Sequence, residues 1–183
     1  MSSAEVLVDA FGRIKEAVSA AVDGLTAQEL AHRADLEANS IAWLVWHLAR
    51  IQDDHIADAA QAEQVWTSAG WTGRFGLPFD PTATGYGQTP EEVAAVRVDS
   101  PLLLTGYYDA VHAVTVRYVE RLRDEDLSRV VDERWDPPVT LGVRLVSIIA
   151  DDLQHAGQAA YLRGIVTRAG VQAESSSETV TNS

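Results

Sequence analysis

In the stretch Asp151-Asp152-Leu153-Gln154-His155-Ala156-Gly157-Gln158, two carboxylates and an imidazole interrupt a segment otherwise rich in Val, Ile, Leu and Ala. A charge in such surroundings is costly unless it is paired or holds a cation. In a helix, about 100° per residue brings Asp151 and His155 within about 40° of each other on one face. An acid and an imidazole one turn apart can bind a common ion, and helical bundles build metal sites from such inward pairs. For an isolated pair of this spacing, an ordinary carboxylate–imidazole hydrogen bond is the default reading. Asp152 falls on another face and is expected to meet solvent.

A second stretch, WLVWHLARIQDDHI, changes the balance. His47 stands among Trp43, Leu44, Val45, Trp46 and Leu48, so it is expected to point inward, with Arg50 and Asp54 on its side. A polar strip along an apolar helix lines a cavity more often than it faces a packed core. If the two helices meet, His47, Asp151 and His155 supply three ligands. Three protein ligands leave a position open for water or substrate, as in catalytic zinc sites. The remaining histidines need no such account. His32 lies in a polar stretch, His112 among Ala and Val where a packing role is the default, and His55 beside Asp53 and Asp54, solvated or paired with a carboxylate.

The elements that must position these groups are helical. Val6, Ala10, Ile14, Val18 and Val22 recur at four-residue spacing, with Leu7 and Phe11 beside them, the apolar stripe of an amphipathic helix. Gly24 is a plausible stop, and Thr26-Ala27-Gln28-Glu29 reads as a capping box. A second long helix begins near Asn39-Ser40 and is apolar on more than one side, which makes it central. Residues 65–89 break the pattern, for the stretch 67–90 holds five Gly and three Pro. Such a loop is functional or disordered, and its Trp71, Phe75, Phe79 and Tyr86 argue that it packs against something. Thr89-Pro90 restores helix, and Ser100-Pro101 opens a third long helix to about Arg123. A short strand or turn follows. Thr140 caps the fourth long helix, which Gly164 closes. Four long helices with one long loop between the second and third define an all-α four-helix bundle over residues 1–168. The polar tail 169–183 is expected to be disordered.

Composition narrows the function. The 183 residues include no cysteine, which excludes disulfides, protein thiolate nucleophiles and cysteine-held metals. Thiol chemistry then needs a thiol brought by a ligand. A metal must be held by His, Asp or Glu, which suits zinc first and nickel second. The net charge of −13 argues against nucleic acid. No apolar run reaches the ~20 residues of a membrane span, and no secretory signal opens the chain, so a cytoplasmic location is expected.

The two motifs together, WLVWHLARIQDDHI and, about a hundred residues later, DDLQHAGQAAYLRG, resemble the DinB/YfiT-like superfamily. The likeness is strongest to its mycothiol-linked branch and runs from about residue 5 to 167. It implies an up-down-down-up bundle holding a divalent metal through His47, Asp151 and His155. An aspartate stands where many members carry the first His of an H-x-x-x-H pair; the mycothiol-dependent maleylpyruvate isomerases use an acid there. Those isomerases carry a further C-terminal domain, so their particular reaction is not expected. The resemblance implies a metal-dependent thiol S-transferase in detoxification, with mycothiol as the nucleophile on small electrophiles. Gln158 would orient a ligand, Arg50 and Arg163 would meet a carboxylate of cofactor or substrate, and Trp71 would contact the cofactor from the loop. The alternative is a non-catalytic metal- or ligand-binding stress-response bundle. A homodimer is compatible with either.

Overall fold

The computed structural model describes the backbone of residues 2–181 and the side chains of residues 2–169; apart from its first residue, the tail 169–183 expected to be disordered lies outside the residues whose side chains are described. Its helices are α1 (Ser3–Val22), α2 (Ala27–Leu30), α3 (Ile41–Ala60), α4 (Val65–Ser68), α5 (Trp71–Phe75), α6 (Pro90–Ala95), α7 (Pro101–Val119) and α8 (Leu141–Thr181). Strands β1 (Val130–Asp132) and β2 (Val139–Thr140) form a small antiparallel pair before α8. Among the described residues, no helix is long and apolar enough to cross a membrane.

Local chemistry sets the helix starts. Ser40 accepts a hydrogen bond from the Trp43 amide at 3.1 Å. Thr26 and Thr89 each close a capping box with a glutamate three residues on, which satisfies amides the first turn leaves free. Pro90 and Pro101 open α6 and α7 after their caps, where a missing N–H costs nothing. The α1 stripe runs through Phe11, Ile14, Val18, Ala21 and Val22; Val6, at its start, is half exposed. Every residue of α3 from Ile41 to Arg50 is buried, as its all-round apolar sequence requires.

Side-chain pairs fix the directions of the four long helices. Lys15 meets Asp109, so α1 runs against α7, an orientation also drawn by Ser3 and Asp124. Gln52 bonds Thr115 and Tyr118 bonds the Ala59 carbonyl, so α3 and α7 run parallel. His47 adjoins His155 while His55 adjoins Arg144, so α3 and α8 are antiparallel. The result is an up-down-down-up bundle with α8 packed between α1 and α3.

Three expectations are corrected. The segment 65–89 is not without helix: α4 and α5 form because tertiary contacts hold them. Asp53 on α3 accepts from the Val65 and Trp66 amides at 2.8 and 2.7 Å. Trp66, Trp71 and Phe75 are buried, whereas Tyr86 is 91% exposed and packs little. Gly164 does not end α8, since the apolar face continues through the buried Val166. That burial outweighs the roughly 1 kcal/mol that Gly costs in a helix. Asp152 does not meet solvent but is wholly buried, with neither carboxylate oxygen hydrogen-bonded. Burial, with the charge of Asp151 adding to it, pushes its carboxyl well above the usual range.

Candidate metal and substrate site

His47, Asp151 and His155 converge across the α3–α8 seam. Each offers one ligand atom, and these atoms lie within 4.8 Å of one another. His155 Nε2 stands 3.6 Å from Asp151 Oδ1, too far for a hydrogen bond. It is close to the spacing of about 3.4 Å between tetrahedral ligands held at about 2.1 Å from a metal. The two imidazole centroids are 4.9 Å apart and nearly perpendicular.

Both rings are oriented from behind. His47 Nδ1 lies 2.6 Å from the Thr84 carbonyl oxygen. A carbonyl only accepts, so Nδ1 carries the proton and Nε2 keeps its lone pair. His155 Nδ1 lies 2.8 Å from Gln158 Oε1, which leaves Nε2 free in the same way. Trp43 stacks on His47 at 4.5 Å and meets His155 edge-on, while its indole N–H donates to Gln88 at 2.7 Å. Gly85, at φ +96°, presses against this group so closely that a Cβ would fall 2.6 Å from His47 Nδ1. Burial pushes the His47 imidazole below its ordinary value, against the opposing pull of its bond to Thr84. It therefore stands neutral, the form that binds metal.

The donor set suits a divalent cation on a further count. Asp151 Oδ2 is buried with no hydrogen-bond partner, and a buried carboxylate oxygen left so is costly unless a positive charge offsets it. Two nitrogens and one carboxylate match zinc, and nickel after it.

The other expected site residues fall in different places. Gln158 joins the triad directly, and with Leu44, Asn39, Tyr161 and Leu162 it lines a mostly apolar groove of about 540 Å³. Arg50 is fully buried. Its guanidinium donates to the Ala83 carbonyl and Gln64 and lies 3.7 Å from Asp53 Oδ2 and over the Trp66 ring. It thus anchors the loop to α3 and α7, with one nitrogen, Nη2, left without a partner. Trp71 packs against Phe75, Tyr107 and the Arg74 guanidinium, none of them in the triad. Arg163 donates to the Asp23 carbonyl and ties α8 to the end of α1. His55 lies beside Asp54 and against Arg144. The orienting residues Thr84, Gly85 and Gln88 carry almost no signature in the sequence. The one signal for them was the Gly85-Tyr86-Gly87 spacing, which marks a turn but not what it touches.

An up-down-down-up bundle with two histidines and a carboxylate facing each other across its second and fourth long helices defines the DinB-like class. Within that class the chain belongs to the mycothiol S-transferase family, whose model matches residues 6–168. It is similar to a solved structure of a conserved protein from Enterococcus faecalis, with a TM-score of 0.84 at 35% identity, covering 89% of this chain and 96% of that one. None of the curated proteins matches it.

Proposed function

We propose that this protein joins a low-molecular-weight thiol, mycothiol, to small electrophiles, with a divalent cation held by His47, Asp151 and His155. The observation that carries the reading is the convergence of two imidazoles and the Asp151 carboxylate, one oxygen of which is buried without a hydrogen-bond partner, in a chain of a thiol-transferring family. The chain has no cysteine, so the nucleophilic sulfur must come from the cosubstrate. A bound cation supplies positive charge that lets a thiol lose its proton near neutral pH. The sulfur lone pair then forms a C–S bond to the electrophilic carbon; the electrons displaced there leave with the departing group or pass into the electrophile, and the thiol proton goes to solvent.

The chain's own residues do the rest. Thr84 and Gln158 hold the imidazoles in the tautomers that present Nε2. Trp43 shields one side of the site from water. The groove beyond Gln158, with Leu44, Tyr161 and Leu162 on its walls, offers an apolar surface to an uncharged electrophile. Arg50 acts through position, by fixing the loop that carries Thr84. Removal of electrophiles, as in detoxification, is the physiological role that follows.

Metal content of protein purified without a histidine tag tests the site. About one zinc or nickel per chain is expected in the wild type, lost in both His47→Ala and His155→Ala. Equal traces in all three would remove the site. Turnover of mycothiol with monochlorobimane, abolished by a chelator and restored by metal, tests the reaction. Stoichiometric metal without any turnover would leave a binding bundle instead.

A further inference from the structure

Polar groups along the α3–α8 seam continue beyond the triad. Arg144 stands seven residues before Asp151 and Asp54 seven after His47, two turns along the same face in each case and about 10 Å away. There a cavity of about 320 Å³ is lined by Asp54, His55, Asp58, Gln64, Arg134 and Arg144. It lies along the same seam as the triad, since Arg144 shares a helix face with Asp151 and Asp54 shares one with His47.

The chemistry of its walls is specific. Both arginines are spent on Asp132: Arg134 through Nε and Nη2, and Arg144 through Nη2, each at 2.9 Å. Arg144 lies 3.3 Å from His55 through Nη1, and its Nε has no acceptor. Asp54 accepts from Gln64 at 2.7 Å, and Asp58 is exposed at the cavity rim. Burial, with Arg144 adding to it, holds His55 below its ordinary value and so neutral. An anion entering here meets the carboxylates of Asp54 and Asp58 before two guanidiniums that are already paired. A cation meets those guanidiniums. A ligand rich in hydroxyls meets neither penalty, since its O–H groups donate to carboxylates while its oxygens accept from guanidinium and amide N–H.

We propose that this cavity, through Asp54, Asp58, His55 and Arg144, binds an uncharged polyhydroxylated group, a sugar or cyclitol, that forms the non-reacting part of the thiol cosubstrate. The assignment rests on the thiol-transfer reading and adds which end of the cosubstrate lies where. The sulfur sits at the triad, and the hydroxyl-bearing rings lie two turns away along the seam. The apolar groove on the opposite side of His155 is thereby left to the electrophile.

Calorimetric titration of the metal-loaded protein with mycothiol and, separately, with N-acetylcysteine tests it, because the second thiol lacks the polyhydroxylated part. In Asp58→Ala and in Asp54→Ala, mycothiol binding is expected to weaken about tenfold or more, as loss of hydrogen bonds to a charged group implies. N-acetylcysteine binding should match the wild type in both, and thermal melts should confirm folding. Unchanged mycothiol affinity in both variants, equal weakening for both thiols, or no mycothiol binding to the wild type would each overturn the assignment. Turnover of mycothiol with unchanged affinity in the variants would sink the cavity and spare the transferase. Weakened mycothiol binding in a protein that transfers no thiol would sink the transferase and spare the cavity.

Discussion

His47 shows how much of a ligand's behaviour is settled by atoms that never touch the cation. Its ring is sandwiched between Trp43 and the backbone of Gly85, and its Nδ1 proton is committed to Thr84. Rotation of the ring would break that bond and strike the indole. Gly85 has no side chain because none fits: at φ +96° a Cβ would lie 2.6 Å from Nδ1 and 3.1 Å from Trp43 and Trp46. Gly85→Ala therefore imposes both backbone strain and a clash, and should cost about 1–3 kcal/mol in unfolding free energy. Because the loop must lift, the Thr84 bond goes with it, and metal affinity should fall about 10–100-fold, as loss of such an orienting partner does elsewhere. Denaturant melts and competition with a metallochromic indicator measure the two effects. An alanine variant with wild-type stability would show that the loop does not bear on the ring. The same reasoning explains Asp152. One position from a candidate ligand, its side chain turns into the interior instead, where burial pushes its carboxyl well above the usual range.

At the scale of elements, the β1–β2 pair has a larger role than its length suggests. Asp132 on β1 takes Arg134 from its own turn and Arg144 from α8, which clamps the start of the helix that later carries Asp151. Hydrogen bonds from Arg134, with Arg144 contributing, hold the Asp132 carboxyl far below its usual range. The folded state then binds this proton less readily than the unfolded chain. The stabilisation is complete above the unfolded value near pH 4 and is lost as pH falls toward the folded one. Asp132→Asn should lower the melting temperature at pH 7 and flatten its decline below about pH 4; parallel wild-type and variant curves over that range would refute the clamp. The long helices and their caps were legible in the sequence because their signals are local: Ser40, Thr89 and Ser100 bond within their own first turns. The three triad residues were legible as polar interruptions of apolar helices. What joins α4 to Asp53 spans twelve residues, and Gly70, Gly73 and Gly76 around it argue against helix, so no local rule could find that segment. Arg50 lies three residues from His47, which leaves it about 60° around the helix, enough to aim it at Tyr107 on α7 and not at the seam. For Trp71 and Arg163 the sequence carries no sign of their partners.

The whole molecule carries 27 acidic against 14 basic side chains, and that excess is not relieved by its surface ion pairs. Exposed pairs such as Arg13–Asp9 and Arg123–Glu125 contribute little each. Pairing cannot in any case neutralise a surplus of thirteen, so at low salt the remaining carboxylates repel one another across the surface. This repulsion is stronger in the compact state than in an expanded chain. Screening acts on both contributions. Raising salt from about 10 mM to about 150 mM shortens the Debye length from about 30 Å to about 8 Å, which suppresses repulsion between distant carboxylates far more than attraction across an ion pair. Net stability should therefore rise with sodium chloride. Each kcal/mol gained corresponds to about 2–4 °C in melting temperature for a chain of this size. The measurement belongs in the presence of a chelator, so that cation binding at the triad does not enter, and at pH 7, where the surface carboxylates are ionised. A melting temperature that falls over this range would mean that the ion pairs outweigh the surplus charge, and the acidic surface would then need a reason other than tolerance of its own repulsion.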